Sequence, residues 1–281
     1  MQGQLLAPGA TALHLRHWPA ASGACGSVLI VHGLGEHIGR YEALAQRLND
    51  WGWHAVGYDQ RGHGLSEGER GALPHDDALL DDLALVVDAV REAALPAPLV
   101  LLGHSMGGLV AARFVAGALD APPPRWSRPV DGLVLSSPAL DPGLGTAQKL
   151  QLALMAKLAP NKQLGNGLDP AWISRDAAVV DAYIADPLVH ERITPRLARF
   201  IVDGGERVRA RAAAWRVPTL LMWAGADRCV APSGSRDFAA TAPRVLVQTQ
   251  DYGPLAHEIF NEPEKEEVYA QLGRWLARRA A

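Results

Sequence analysis

Cysteine is nearly absent from the 281 residues: Cys25 and Cys229 are the only two, and neither stands in a C-x-x-C pair. A disulfide framework and a cysteine-rich metal site are therefore not expected. No run approaches the ~18 apolar residues of a membrane span. The opening stretch MQGQLLAPGATALHLRHW has no basic region leading into a long apolar one, so neither export nor spanning is expected. Charge of one sign is lacking too. With 27 Lys and Arg against 30 Asp and Glu, the net charge is -3, and nothing favours a nucleic-acid partner, which calls for a basic face. What remains is an ordinary globular composition, 48% hydrophobic and 20% charged, expected of a cytoplasmic protein that is at most peripheral to a membrane.

Short apolar runs recur along the chain: SVLIVH (27–32), WHAVGYD (53–59), PLVLLG (98–103), VDGLVLSS (130–137), PTLLMWAG (218–225) and RVLVQTQ (244–250). Each is bounded by Gly, Pro or charged residues and is short enough for a strand buried on both faces. Between several of them lie stretches with helical spacing, YEALAQRLNDWG, DDLALVVDAVREAAL and MGGLVAARFVAGAL. Alternation of this kind predicts an α/β fold on a mostly parallel sheet. It breaks from about 141 to 214, where helical pieces follow one another without a convincing strand. The expected organisation is a body of residues 1–140 and 215–281 with a helical cap of 141–214 inserted before the strand PTLLMWAG.

GHSMGG, residues 103–108, follows the run PLVLL and opens the helix carrying Leu109, Val110, Phe114 and Val115. Strand, G-x-S-x-G and helix in this order describe a nucleophile elbow, with Ser105 at its tip and Gly103 and Gly107 allowing the close packing. Such a serine needs a base and an acid, which in this architecture follow it along the chain. Eight of the ten histidines precede Ser105, leaving His190 inside the insertion and His257 after the last strand. His257 is the expected base. Asp227, at the end of PTLLMWAG, is the expected acid, although it also suits a helix N-cap or a surface loop; Asp141 and Asp251 stand behind it. One oxyanion donor should be the backbone N–H of Met106, the residue after the nucleophile. The second falls in HGLGEH (32–37), where Leu34 is the choice.

These residues resemble the α/β-hydrolases of the monoacylglycerol lipase and lysophospholipase-like branch. The likeness rests on HGLGEHIGRYEALAQRL, YDQRGHGLSEGERG, LLGHSMGG, SRDAAVVDAYIADPLV, AGADRCV and HEIFNEPE, and it spans nearly the whole chain. It implies the α/β-hydrolase fold, the triad Ser105, Asp227 and His257, oxyanion donors at Leu34 and Met106, and a cap over the site. No cofactor or metal is implied. The expected activity is hydrolysis of a small lipid ester, foremost a monoacylglycerol; a general carboxylesterase or a lysophospholipase is the alternative. An aspartate-nucleophile dehalogenase or epoxide hydrolase conflicts with Ser105, and a non-catalytic binding module would be expected to lose part of the triad.

Further roles stay open at this point. Glu36 and Arg40 either contact a glycerol hydroxyl or form an internal ion pair, and Asp59, Arg61 and His63 read as a turn network. Leu150, Leu154 and Leu158 form one stripe of a cap helix. That stripe packs on the body, lines an acyl tunnel or docks transiently on lipid. Pro254 and Leu255 leave the shape of the turn before His257 undetermined.

Overall fold

The computed structural model describes residues 3–7, 11–21 and 23–280. Among these described residues ten strands form: β1 (Gly3–Ala7), β2 (Thr11–Trp18), β3 (Gly26–Val31), β4 (Trp53–Tyr58), β5 (Leu99–His104), β6 (Gly132–Ser136), β7 (Leu164–Gly165), β8 (Arg192–Ile193), β9 (Thr219–Ala224) and β10 (Val247–Tyr252). Eight of them make one sheet in the order β1-β2-β4-β3-β5-β6-β9-β10. Pairing is parallel from β4 to β10 and antiparallel where β2 meets β1 and β4. All six apolar runs become strands. The sequence reading passed over β1 and β2, because TALHLRHW alternates rather than runs: Leu13 and Leu15 are buried while His14 and Arg16 are not, as suits a strand with one wetter face.

Among the described residues eight α-helices accompany the sheet: α1 (Glu42–Asp50), α2 (Ala78–Glu92), α3 (Ser105–Gly117), α4 (Thr146–Leu158), α5 (Ala177–Ala185), α6 (Pro195–Arg211), α7 (Pro232–Thr241) and α8 (Lys265–Ala277). Successive side chains of a strand point to opposite faces, and the core divides accordingly. Leu29, Val31 and Leu101 join α2, α3, α6 and α7 in one cluster, whereas Val28, Ile30, Val100 and Leu102 join α1 and α8 in the other. Among the described residues no helix is long and apolar enough to cross a membrane.

The stretch 141–214 is of two kinds. Neither α4 nor α5 buries a single residue completely, and β7 and β8 pair only with each other. Helix α6 instead sinks Leu197, Phe200, Ile201 and Val208 into the core cluster and lies along α3. Gly204 faces Leu109 and Arg113 of α3, and Gly205 lets the helix close on the chain after β6, since a Cβ there would stand 2.2 Å from the Leu140 carbonyl oxygen.

Candidate active site

Parallel strands deliver their C-terminal ends to one edge of the sheet, and the expected triad gathers there. Ser105 is the last turn out of the central strand β5 and the first residue of α3. Its φ is +54°, a conformation that costs a non-glycine residue energy and is kept only where surroundings impose it. The flanking glycines supply the surroundings. A Cβ on Gly103 would meet the Gly107 carbonyl oxygen at 2.4 Å, and one on Gly107 would meet that of Val31 at 2.1 Å. The elbow can fold this tightly only without those side chains.

Asp227 follows β9 and His257 follows β10. His257 Nδ1 donates to Asp227 Oδ2 at 2.7 Å, and the second carboxylate oxygen accepts from the backbone N–H of Cys229 (2.8 Å) and Val230 (3.0 Å). The carboxylate is thus fixed by its own loop, and it orients the imidazole with Nε2 as the proton acceptor. Burial works against a charged imidazole, but Asp227, then Glu258 and Glu36, outweigh it and raise the His257 pKa above its ordinary value. Neither fallback acid reaches the histidine: Asp141 accepts from Gly143 and Ser233, and Asp251 pairs with Arg236. His190 lies elsewhere, its ring 4.7 Å from that of His63. Pro254 and Leu255 form a closed turn in which the Leu255 carbonyl accepts the Ala226 N–H at 3.2 Å, tying the two triad loops together.

Leu34, Ser105 and Met106 border one cavity. Met106 lies in the first turn of α3, where N–H groups have no intrahelical acceptor, and so carries a donor suited to an oxyanion. The loop holding Leu34 is set by Glu36, whose Oε1 accepts from Gly33 N (2.6 Å) and Tyr41 Oη (2.7 Å). Glu36 Oε2 accepts from Arg40 at 2.6 Å, and Arg40 also forks onto Glu258 at 2.7 and 2.9 Å. Of the two roles left open for Glu36 and Arg40, the structure realises the ion pair. Burial disfavours the Glu36 charge, yet Arg40 outweighs it and holds this carboxylate below its ordinary range. Asp59, Arg61 and His63 form the expected turn network: Asp59 accepts from Ile38 and Leu65, and Arg61 meets Asp82 at 2.6 Å.

The inserted stretch is stitched to both catalytic loops. Glu262 accepts from Ser174 Oγ, Arg175 N and Arg175 Nε, and also from Ala256 N beside His257. On the oxyanion side the His190 N–H donates to the Gly35 carbonyl at 2.8 Å, Asp186 pairs with His37 at 2.8 Å, and Tyr183 lies under the Arg40 guanidinium.

Leu154 and Leu158 require a correction. They are 56% and 73% exposed, and Leu150 is 73% exposed; none packs on the body and none borders the cavities at Ser105. The stripe lies on the outer side of α4, so these leucines do not line the substrate site. An apolar cavity of about 220 Å³ does open from Ser105, walled by Leu144, Leu168, Ile193, Ile201, Val202 and Val230. Sequence reading missed these residues because they come from separate segments and form no periodic pattern. A second, adjoining cavity shares Leu34, Ser105, Asn166, Leu168 and Cys229 with the first and adds Glu36, His104, Asp169, Tyr183, Glu191 and Glu258. Burial first, and then His257, lower the His104 pKa to about 4, so His104 stays neutral beside the base.

Among the described residues one group of metal-binding side chains comes together, Asp227, Cys229 and His257, with ligand atoms within 4.8 Å of one another. Two of its members are joined by the triad hydrogen bond. The group is accounted for as acid and base.

Comparison with known proteins bears on the family and the fold. An uncharacterized abhydrolase domain-containing protein of Dictyostelium discoideum is 32% identical over 95% of the chain, which spans only 28% of that larger protein. The monoacylglycerol lipase of Mycolicibacterium smegmatis is 34% identical, with 92% of this chain and 90% of that one covered. The crystal structure of Paleococcus ferrophilus monoacylglycerol lipase superposes with a TM-score of 0.82 at 32% identity, covering 95% of this chain and 99% of that one. The Hydrolase_4 family, described as serine aminopeptidase, S33, matches residues 22–264. With its α/β-hydrolase fold and a serine at the elbow, the chain belongs to this family of serine hydrolases.

Proposed function

We propose that the chain hydrolyses monoacylglycerols to fatty acid and glycerol through an acyl-enzyme. The observation that carries this reading is that Ser105 borders two adjoining cavities, one walled mainly by aliphatic side chains and the other adding Glu36, Asp169, Tyr183, Glu191 and Glu258 to a shared apolar wall. In this reading the acyl chain lies in the first and the glycerol hydroxyls face the second. Relatives and a solved neighbour named monoacylglycerol lipases at 32–34% identity support it.

In this reading His257 Nε2 takes the Ser105 proton as the oxygen attacks the ester carbonyl, and the N–H groups of Leu34 and Met106 receive the oxyanion. His257 then protonates the departing glycerol oxygen. Water enters, gives its proton to His257 and releases the fatty acid, while Asp227 holds the tautomer throughout. Substrate is drawn from a lipid surface on which the exposed Leu150, Leu154 and Leu158 rest, flanked by Lys149 and Lys157, in the manner of an interfacial helix.

Fatty-acid release from 1-monoacylglycerols of rising chain length, beside diacylglycerols and a short p-nitrophenyl ester, tests the proposal with Ser105→Ala as the blank. Preference for monoacylglycerols and labelling of Ser105 by a fluorophosphonate are expected. Turnover of the short ester alone would make the chain a general carboxylesterase.

A further inference from the structure

The second cavity beside Ser105 carries carboxylates on a partly apolar wall and has no lysine or arginine in its lining. Glu36, Asp169, Glu191 and Glu258 border it, and no Lys or Arg does. Two of the four come from the body and share Arg40 behind the wall at 2.6 and 2.7 Å, which leaves that trio one negative charge in excess. The other two come from the inserted stretch. Asp169 accepts only a neutral donor, the Ala171 N–H at 2.9 Å, and among the described residues neither Asp169 nor Glu191 has a cation within ion-pair distance. The neighbouring cation Arg228 stacks on the Trp172 ring at 4.7 Å. Of the two histidines that border the cavity, His104 is held neutral, burial being the largest cause that drives it to about 4; the other, His257, must itself be neutral to act as the base, so in the active enzyme neither offsets the carboxylates.

We infer that this cavity selects the alcohol half of the ester by charge: it takes neutral alcohols, extends to cationic amino-alcohols such as choline, and refuses alcohols bearing a phosphate. The inference rests on the proposed ester hydrolysis and adds a substrate class to it. A concave site lined by one sign of charge concentrates ligands of the opposite sign and repels those of its own, and discrimination built on repulsion needs no additional contact to the preferred substrate. The reaction itself is unchanged: ester and water give carboxylic acid and alcohol, the alcohol oxygen leaving with the proton from His257.

The experiment uses three octanoyl esters with the same acyl half, those of glycerol, choline and glycerol 3-phosphate, assayed below their aggregation limits. At low ionic strength kcat/KM for the phosphate ester should fall at least about tenfold below that of the glycerol ester, and the choline ester should match or exceed the glycerol ester. Added salt should narrow the spread, because screening weakens charge effects at the cavity mouth. Asp169→Asn with Glu191→Gln should raise the ratio of phosphate-ester to glycerol-ester turnover at least about threefold. Asparagine keeps the capping bond to Ala171, so folding is preserved. A phosphate ester turned over as well as the glycerol ester, a choline ester slower than the phosphate ester, or a ratio unmoved in the double variant would each overturn the inference. If the glycerol ester itself were not hydrolysed and Ser105 took no fluorophosphonate, the proposed function would be what fails.

Discussion

Helices α4 and α6 both belong to the inserted stretch, both present apolar residues at helical spacing, and they end in opposite situations. Helix α6 presses Phe200, Ile201 and Val208 into the core against α3 and turns Ile201 and Val202 toward the cavity beside Ser105. Helix α4 holds Leu150, Leu154 and Leu158 out in solvent. A stripe shows that a helix has an apolar side; it does not say what that side meets. Gly204 and Gly205 let the α6 backbone close on α3 and on Leu140, whereas α4 packs on α6 through residues that stay half-buried and turns its leucine stripe away.

The sharpest test of that contrast is Phe200→Ala. Phe200 is 5% exposed, and the Arg113 guanidinium covers its ring at 4.9 Å. Deleting a buried ring of this size costs about 3–5 kcal/mol. Thermal denaturation should show a large fall in Tm together with reduced turnover of every ester. A Tm near that of the parent would mean that α6 is not part of the core.

Glu262→Ala is the next largest effect and probes where the inserted stretch is fastened. It leaves the N–H groups of Ala256 and Arg175 without their acceptor, while the Ser174 hydroxyl keeps only the Asn261 carbonyl at 3.3 Å. Orphaned buried donors cost roughly 1–3 kcal/mol, and the Ala256 donor adjoins His257. Turnover should fall more than stability alone explains, read as a lower kcat at temperatures where the variant is fully folded. An unchanged kcat there would reduce Glu262 to a distant strut.

How much of this was open to sequence reading depended on whether the signal was local. The elbow was legible because strand, glycines, serine and helix are contiguous, and the triad because chain order leaves so few histidines after Ser105. The fold was legible through six unbroken apolar runs. What escaped was non-local or one-sided. Strands β1 and β2 have a wetter face and make no run. The fork from Arg40 to Glu258 joins residues 218 apart, and the aliphatic cavity takes single side chains from Leu144 to Val230. Exposure of the α4 stripe is likewise a property of what surrounds the helix.

A pH profile bears on the electrostatics beneath the inserted stretch. Burial opposes a charged His257, while Asp227 and then Glu258 favour it and raise its pKa. The base works only when neutral, so activity is lost as pH falls through that pKa, and the acid limb of kcat/KM should lie above the ordinary histidine value of about 6.5. In Glu258→Gln a negative charge is removed and Arg40 is left with less compensation. Both changes disfavour the imidazolium, so the acid limb should move to lower pH. A limb that stayed in place or rose would remove Glu258 from the set of groups acting on the base.

The smallest effect on stability, and the one that closes the comparison of the two helices, is Leu154→Ser. An exposed leucine without a packing partner contributes within about 0.5 kcal/mol, so Tm should hardly move, in contrast to Phe200→Ala. Turnover of a water-soluble short ester should also be retained, since Leu154 borders neither cavity at Ser105. Any loss should appear only when monoacylglycerol is presented in vesicles, because the variant removes apolar area available to an interface. The loss should deepen when Leu150 and Leu158 are replaced as well. Equal losses on soluble and vesicle-borne substrate would place the stripe in the catalytic cycle itself; no loss on either would leave α4 as a helix whose apolar side meets only water.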